Sequence, residues 1–211
     1  HPVWDLPTRL FHWLLVTLLA AAWLTHELGE IDLHFYTGYS LLGLLLFRLC
    51  WGLVGSVHAR FGDFLRPGAI PSYLRDGQSP TPGHNPLGGL SVLALLSLLL
   101  AQTITGLLNA DDEGNQGPYH SLLEGGWIDT VGGWHSLLFD GLLALVVIHL
   151  LAVAWHQLIK REGLLGAMIT GHKPDRAGVQ PPVSLWRALL VLPSVILAVS
   201  AALYDAPEPE P

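Results

Sequence analysis

Cysteine is almost absent from this sequence, and its scarcity removes several kinds of chemistry. Cys50 is the single cysteine among 211 residues, so the sequence can form no internal disulfide. An iron–sulfur cluster needs several thiolate ligands. Covalent attachment of a c-type haem needs the motif C-x-x-C-H, which does not occur. We therefore interpret Cys50 as a small packing residue and look for redox chemistry among other side chains.

Charge is also scarce. Charged side chains make up 13% of the sequence, whereas 51% of the residues are hydrophobic. A typical soluble domain is about one-quarter charged, so this composition does not fit one. The apolar residues are concentrated in five runs, at residues 10–25, 35–54, 87–108, 134–155 and 185–204. Since a helix needs about 20 apolar residues to cross a bilayer, the sequence predicts an all-α integral membrane bundle of five transmembrane helices.

Basic residues are missing from one side of the predicted bundle. With five spans, all ten Lys and Arg residues fall on or toward the side that holds the N-terminus and the loops after spans two and four. Lys and Arg are enriched in cytoplasmic loops, so we expect a cytoplasmic N-terminus and a periplasmic C-terminus. The opposite face is acidic and suits a basic periplasmic partner. With a formal net charge of −7, we expect no nucleic-acid partner.

Histidines recur within the apolar runs at matched depths. His135 and His149 lie 149 − 135 = 14 residues apart in the fourth run. In an α-helix this spacing returns to within about 40° of the same face and separates the residues by roughly 21 Å. His12, near the start of the first run, matches the depth of His149. His34, which opens the second run, matches the depth of His135. Polar rings in lipid are costly and usually functional.

Each depth-matched pair suits one haem b, whose iron takes one imidazole nitrogen on each face of the ring. The predicted iron ligands are His12 with His149 and His34 with His135, which makes two haems b. Any one membrane histidine can instead be a hydrogen-bond partner between helices. His156, one heptad after His149, replaces it if span four is shifted. Zinc fits less well, because it prefers four ligands clustered at one depth.

Several motifs resemble one known family. VWDLPTRLFHW at 3–13, HFYTGY at 34–39 and RLCWGLVGSVHARF at 48–61 look like the bacterial cytochrome b561 and nickel–iron hydrogenase b-type cytochrome family. GHNPLG at 83–88 and AMITGHK at 167–173 are similar to the same family. The resemblance implies a four-helix bundle with two haems b and carries the axial role to the same four histidines. Many relatives look like four-span proteins, so span five is an extra helix.

These observations predict three segments. Residues 1–176 form a diheme cytochrome b membrane domain, and residues 177–204 add a C-terminal transmembrane helix. Residues 205–211 alternate Pro and Glu, and we expect a disordered acidic tail.

The resemblance implies electron transfer in the bacterial inner membrane. The partners would be a periplasmic redox protein, either a hydrogenase or a c-type cytochrome, and a quinone in the surrounding lipid. We expect the quinone near the cytoplasmic haem, where Arg9, Arg60 and His58 are candidates to bind haem propionates or the quinone carbonyl. Arginine at a membrane edge also commonly extends to lipid phosphates. The chain would then be an electron-transfer subunit of an oxidoreductase complex rather than a complete enzyme.

Two other classes remain open from the sequence. One is a stand-alone quinol oxidoreductase that acts on a small oxidant such as superoxide. The other is a haem-free membrane transporter or scaffold. Only the haem proteins require a Soret absorbance band, and co-purification with a periplasmic redox protein separates the subunit from the stand-alone enzyme.

Overall fold

A computed structural model describes residues 3–77, 79, 83–111, 113–173 and 185–207. Within these ranges it has eight α-helices: α1 Leu6–Glu27, α2 Ile31–Val54, α3 Phe61–Phe64, α4 Ile70–Asp76, α5 Pro86–Leu108, α6 Trp127–Leu158, α7 Leu164–Thr170 and α8 Trp186–Tyr204. Five of them, α1, α2, α5, α6 and α8, are long and apolar enough to cross a membrane. The prediction of an all-α membrane protein with five spans is therefore confirmed.

Two of the spanning helices begin at side-chain caps that the sequence encodes. Asp5 accepts a hydrogen bond from the backbone N–H of Thr8 at 2.7 Å, and a proline occupies the first turn of α1. Asn85 accepts from the N–H of Gly88 at 2.7 Å, and Pro86 is the first residue of α5. A capped N–H no longer needs water, and proline has no N–H to satisfy. Both helices thus start where the polar loop meets the apolar run.

Four of the spanning helices share one core. Phe11 of α1, Leu45 of α2, Leu96 and Leu99 of α5 and Leu142 of α6 form a single cluster of buried side chains. Three residues connect α1 to α2, among them Gly29 with a φ of +71°, a conformation that glycine adopts without strain. Because successive helices alternate in direction, residues distant in sequence meet at the same end of the bundle.

The two ends of the bundle differ in charge. The basic end, where α1 begins, carries Arg9, Arg48 and Lys173. The acidic end, where α1 ends and α2 begins, carries Glu27, Glu30 and Asp32 together with the loop between α5 and α6. We use these two names below.

The short helix α7 closes the basic end against α1. The backbone N–H groups of Val3 and Trp4 donate to the Gly171 carbonyl at 2.7 and 3.1 Å. The Trp13 indole donates to the Met168 carbonyl at 3.3 Å. These bonds satisfy the free carbonyls at the C-terminal end of α7 and hold the first residues of the chain in place.

The fifth spanning helix, α8, lies on the outside of α2. Ala188 and Val191 pack against a buried cluster that contains Phe47 and Trp51 of α2. Near the basic end the Arg187 guanidinium donates to the Val54 carbonyl at 3.1 Å. At the acidic end the Tyr119 hydroxyl donates to the carbonyl of Ala202. Helix α8 is therefore fastened to the four-helix core near both of its ends.

Helix α6 extends beyond its predicted span, residues 134–155. It has 32 residues and begins at Trp127, within a stretch rich in glycine and polar residues. At about 1.5 Å per residue it is roughly 48 Å long, more than a hydrocarbon core of about 30 Å. The Trp127 and Trp134 rings pack at 6.4 Å and support the additional turns. Hydropathy thus marked the apolar part of the helix rather than its full length.

The proposed division of the chain stays a prediction. Residues 174–184, where the first segment would give way to the second, lie outside the described residues, as does the tail from residue 208 onward. The fifth spanning helix, α8, ends at Tyr204, where the fifth apolar run of the sequence also ends.

Candidate functional site: two histidine pairs

At the acidic end, His34 lies in the first turn of α2 and reaches α1. Its Nδ1 is 2.8 Å from the Ala22 carbonyl oxygen. A carbonyl can only accept, so the ring proton is on Nδ1 and Nε2 keeps its lone pair. A neutral imidazole in this tautomer can bind a metal through Nε2.

His135 of α6 contacts two polar side chains of α5. Its Nδ1 is 3.0 Å from the Thr105 hydroxyl, and its Nε2 is 3.2 Å from the Gln102 amide nitrogen. The hydroxyl of Thr105 is also 2.9 Å from the Ala101 carbonyl and 3.0 Å from that of Gln102. Helix α5 comes close here, since a Cβ at Gly106 would lie 3.0 Å from Cε1 of His135.

The structure brings His34 and His135 together. The two rings interact electrostatically, and His26 at the end of α1 joins them. The ring centroids of His26 and His34 are 5.5 Å apart. The sequence analysis gave no role to His26, Gln102 or Thr105. The signal for the last two was available, because they are polar residues in a span that carries no charge.

The second pair lies toward the basic end. His12, in the second turn of α1, interacts electrostatically with His149 of α6. The His12 ring stands edge-on to Trp13, with centroids 5.0 Å apart. Its Nδ1 is buried and has no hydrogen-bond partner among the described residues. His12 and His149 therefore lie near each other.

His156, the alternative to His149, has a different neighbour. Its Nδ1 is 3.2 Å from a carboxylate oxygen of Glu162, beyond the end of α6. The structure therefore pairs His149, rather than His156, with His12.

The chemistry and shape of the two sites fit haem b. The described residues contain no cluster of three or more His, Cys, Asp or Glu side chains that could hold a metal ion. A Cβ at Gly38 would have no atom within 4 Å, and one at Gly141 would meet only Leu98 at 3.9 Å. The imidazoles of His34 and His135, and those of His12 and His149, would supply the two ligands that the iron of a haem b takes.

Two buried basic groups lie at the basic end of the bundle. Arg48 is 2% exposed, and its guanidinium lies 5.0 Å from the Phe61 ring centroid and 5.9 Å from those of Phe11 and Phe64. Lys173 is also buried. The segments that make these contacts are far apart in the sequence. Local sequence patterns therefore indicate no role for Arg48 or Lys173.

His84 precedes α5 and is packed between two aromatic rings. The centroids of Trp4 and Phe64 each lie 4.6 Å from that of His84. Burial, and then the positive charge of Arg48, lower the pKa of His84 to about 3. His84 is a neutral packing residue at neutral pH.

The three candidates for propionate or quinone binding occupy different positions. The Arg9 guanidinium donates to the carbonyl of Ile169 in α7. The Nδ1 atom of His58 is 3.0 Å from a carboxylate oxygen of Asp63. Arg60 is exposed. Arg9 and His58 are therefore held by neighbours at the basic end, whereas Arg60 extends from its surface.

The structure is a bundle of apolar spanning helices that presents imidazoles in pairs at two depths. This arrangement is typical of one class of protein, the membrane b-type cytochromes of electron transfer. The family described as prokaryotic cytochrome b561 matches residues 3–171, and the chain belongs to this family. Membership implies haem b and confirms the resemblance seen in the motifs. The match ends before α8, so the fifth span lies outside the region shared with the family.

Curated relatives are hydrogenase cytochromes. The chain is 24% identical to a probable Ni/Fe-hydrogenase B-type cytochrome subunit of Rhizobium leguminosarum bv. viciae, over 81% of this chain and 87% of that protein. It is 28% identical to the subunit of the same name in Azotobacter chroococcum mcd 1, over 82% and 90%. The probable Ni/Fe-hydrogenase 1 B-type cytochrome subunit of Escherichia coli K12 is 23% identical, over 84% and 92%. No solved structure gives a significant match.

Proposed function

We propose that this protein is a diheme cytochrome b of the bacterial inner membrane. It passes electrons between a periplasmic redox partner and the membrane quinone pool. The observation that carries the proposal is the presence of two histidine pairs, His12 with His149 and His34 with His135, separated by about four turns of α6. The names of the relatives favour a hydrogenase as the partner, with a c-type cytochrome as the alternative.

Each pair is proposed to ligate one haem b, which supplies one-electron redox chemistry when bound. The protein contributes the ligands, their orientation and the surrounding charges. At the acidic end the Ala22 carbonyl and the Thr105 hydroxyl hold the two imidazoles with Nε2 unprotonated. At the basic end the ring of Trp13 fixes the position of His12.

The orientation of the bundle follows from its charge. We propose that the basic end faces the cytoplasm and the acidic end the periplasm, because positive residues are retained on the cytoplasmic side. The N-terminus is then cytoplasmic and the C-terminus periplasmic. The pair His34 and His135 lies nearer the periplasmic partner, and acidic side chains around it suit a basic docking surface.

The quinone is proposed to bind near the basic end. Its reduction consumes two electrons and two protons, so the site needs groups that exchange protons with water. His58 and Asp63, 3.0 Å apart and partly exposed, form such a pair. Arg9 and Arg60 supply positive charge for the haem propionates or for the quinone oxygen that becomes negative on reduction.

The haem content of the purified full chain tests the proposal. A pyridine haemochrome assay should return two haems b per chain, with a low-spin spectrum. One haem or none in fully loaded protein would remove the diheme assignment. Retention of a Ni/Fe-hydrogenase during mild purification from native membranes supports the partner, whereas a c-type cytochrome in its place would assign the other.

Reporter fusions test the orientation. A reporter active only in the periplasm, fused after residue 211, should be active. A reporter active only in the cytoplasm should be silent at the same position. The reverse pattern would contradict the orientation without affecting the haem count.

A further inference from the structure

We infer that Thr105 is a positioning residue for His135, and that it gives the acidic-end site a lower reduction potential than the basic-end site. The inference rests on the proposed function, since it requires a haem at each pair. Thr105 itself would touch neither iron nor macrocycle. It acts through the imidazole.

The hydrogen bonds around Thr105 fix the tautomer of His135. The hydroxyl hydrogen has two carbonyl oxygens within reach, Ala101 at 2.9 Å and Gln102 at 3.0 Å, and both can only accept. The amide nitrogen of Gln102, which can only donate, lies 3.2 Å from Nε2 of His135, so Nε2 accepts and the ring proton lies on Nδ1. Nδ1 then donates to the Thr105 hydroxyl oxygen, 3.0 Å away, and a haem iron would take the place of the Gln102 amide at Nε2. Thr105 is buried, at 8% exposure, so water cannot replace this bond.

His34 has the same arrangement through a different acceptor. Its Nδ1–H donates to the Ala22 carbonyl at 2.8 Å. Both imidazoles at the acidic end thus give up Nδ1–H to an oxygen. A hydrogen bond of this kind raises the basicity of a ligating histidine. A more basic ligand stabilises ferric over ferrous iron and lowers the reduction potential.

His12 at the basic end lacks this support. The buried Nδ1 of His12 has no hydrogen-bond partner in the described part of the chain. By this criterion His12 is the less basic ligand. Ferrous iron is correspondingly more stable at the basic end, and the potential there is higher.

The surrounding charges act in the same direction and are an independent observation. Arg48 and Lys173 are buried at the basic end. The exposed carboxylates of Glu27, Glu30 and Asp32 precede His34 in the sequence at the acidic end. Positive charge favours the ferrous form, which carries one charge less than the ferric form, and negative charge disfavours it. The two observations together order the sites.

The order of potentials sets a downhill direction from the acidic end to the basic end. Haems held by His34 with His135 and by His12 with His149 would supply the one-electron transfer from the acidic end to the basic end. No bond is made and no proton moves in this step. The reductant is a one-electron donor at the acidic end, and the acceptor is the quinone.

A spectroscopic redox titration of the haem-loaded full chain tests the inference. His135→Ala first identifies the acidic-end component, which is the one that disappears. That component should titrate at the lower potential in the wild type. Thr105→Val replaces the hydroxyl by a methyl group of similar size. In this variant the reduction potential of the same component should rise. A tenfold shift of its ferric–ferrous equilibrium corresponds to about 59 mV.

Two variants serve as controls. Thr105→Ser keeps the hydroxyl and should restore the wild-type potential. Thr103→Val removes another hydroxyl of α5, which donates to the Leu100 carbonyl and contacts no histidine. It should leave both components unchanged.

The outcomes separate the inference from the proposed function. If the acidic-end component of the wild type has the higher potential, the order is wrong, and no Thr105 variant is needed to establish this. If Thr105→Val leaves that potential unchanged, or if Thr103→Val shifts it equally, the positioning role is wrong. A wild-type protein with fewer than two haems, by contrast, overturns the proposed function itself.

Discussion

The two ends of the bundle present the same pair of side chains in different surroundings. At the acidic end, His34 and His135 are each hydrogen-bonded through Nδ1, and carboxylates lie nearby. At the basic end, His12 has a buried Nδ1 without a described partner, and its neighbourhood contains Arg48 and a neutral His84. The histidine side chains thus determine which cofactor each site can bind, whereas the groups that contact those histidines determine how the two sites differ.

The largest expected effect is the separation of the two sites by single substitutions on α6. His135→Ala and His149→Ala should each remove about half of the haem, and the spectral components lost should differ. The reason is that the two histidines belong to different pairs. Absorbance and EPR spectra of the purified variants measure this. His172→Ala, an exposed histidine outside both pairs, is the control and should retain both components.

Two results would break the comparison between the ends. Loss of the same component in both variants would show that the pairs are wrong. If His149→Ala kept both spectral components and His156→Ala lost one of them, α6 would be shifted by about two turns.

A bulky residue at Gly106 should disturb the acidic end alone. A Cβ there would lie 3.0 Å from the His135 ring, so Gly106→Val forces the ring or the helix to move. Overpacking of this kind costs about 1–3 kcal/mol. We expect a perturbed acidic-end spectrum, an unchanged basic-end spectrum and a lower melting temperature. Gly133→Val, where a Cβ meets no atom within 4 Å, is the matched control. Equal effects of the two variants would refute the steric explanation.

A substitution at Arg48 tests the charge difference between the two ends of the bundle. Arg48→Gln removes a buried guanidinium that lies over three aromatic rings, and a desolvated cation–π contact is worth about 2 kcal/mol. The variant should unfold more readily and should lower the potential of the basic-end component only. Denaturant unfolding and redox titration measure the two effects. Arg75→Gln, at a position where 76% of the side chain is exposed, should change neither. A lower potential at the acidic end would contradict the charge argument.

The smallest expected effect is a pH dependence at His84. Its pKa of about 3 in the folded protein lies below the ordinary histidine pKa of about 6.5. The unfolded chain therefore binds a proton first as the pH falls, so stability is full above pH 6.5 and declines between 6.5 and 3. At one pH unit below 6.5 the loss is about 1.4 kcal/mol. Melting curves at pH 7.5 and 5.5 measure it.

The control for this effect is the variant His84→Phe. A phenyl ring keeps the contacts with Trp4 and Phe64 but cannot titrate. The variant should lose less stability than the wild type between the two pH values. An unchanged pH dependence would assign the effect to other groups.

The spans were predictable, and the two histidine pairs could be proposed, because both rest on short-range regularities. Hydropathy locates apolar helices, and the 3.6-residue period fixes which side chains share a face. Alternation of helix direction then matches depths, which placed His12 with His149 and His34 with His135. The family motifs added the cofactor. None of these arguments needs knowledge of how the helices pack.

The second layer of contacts was not predictable in the same way. Thr105 and Gln102 reach His135 only because α5 packs closely on α6 at Gly106. Burial of His84 depends on Trp4 and Phe64, which come from segments far apart in the sequence. The start of α6 at Trp127 was missed because polar and glycine residues precede the apolar run. Such features depend on tertiary packing, for which one sequence contains little local signal.

The bond between Arg9 and the carbonyl of Ile169 spans 160 residues of sequence. A ribosome that adds about 5–20 residues per second makes the second partner roughly 8–30 seconds after the first. The ligands of the acidic end are separated by 135 − 34 = 101 residues and those of the basic end by 149 − 12 = 137. During biogenesis, therefore, the contacts of α1 with α6 and α7 form only after those later segments have been made. The proposed ligands of the acidic end are both present before those of the basic end. The contacts of α7 with the N-terminal segment form after both.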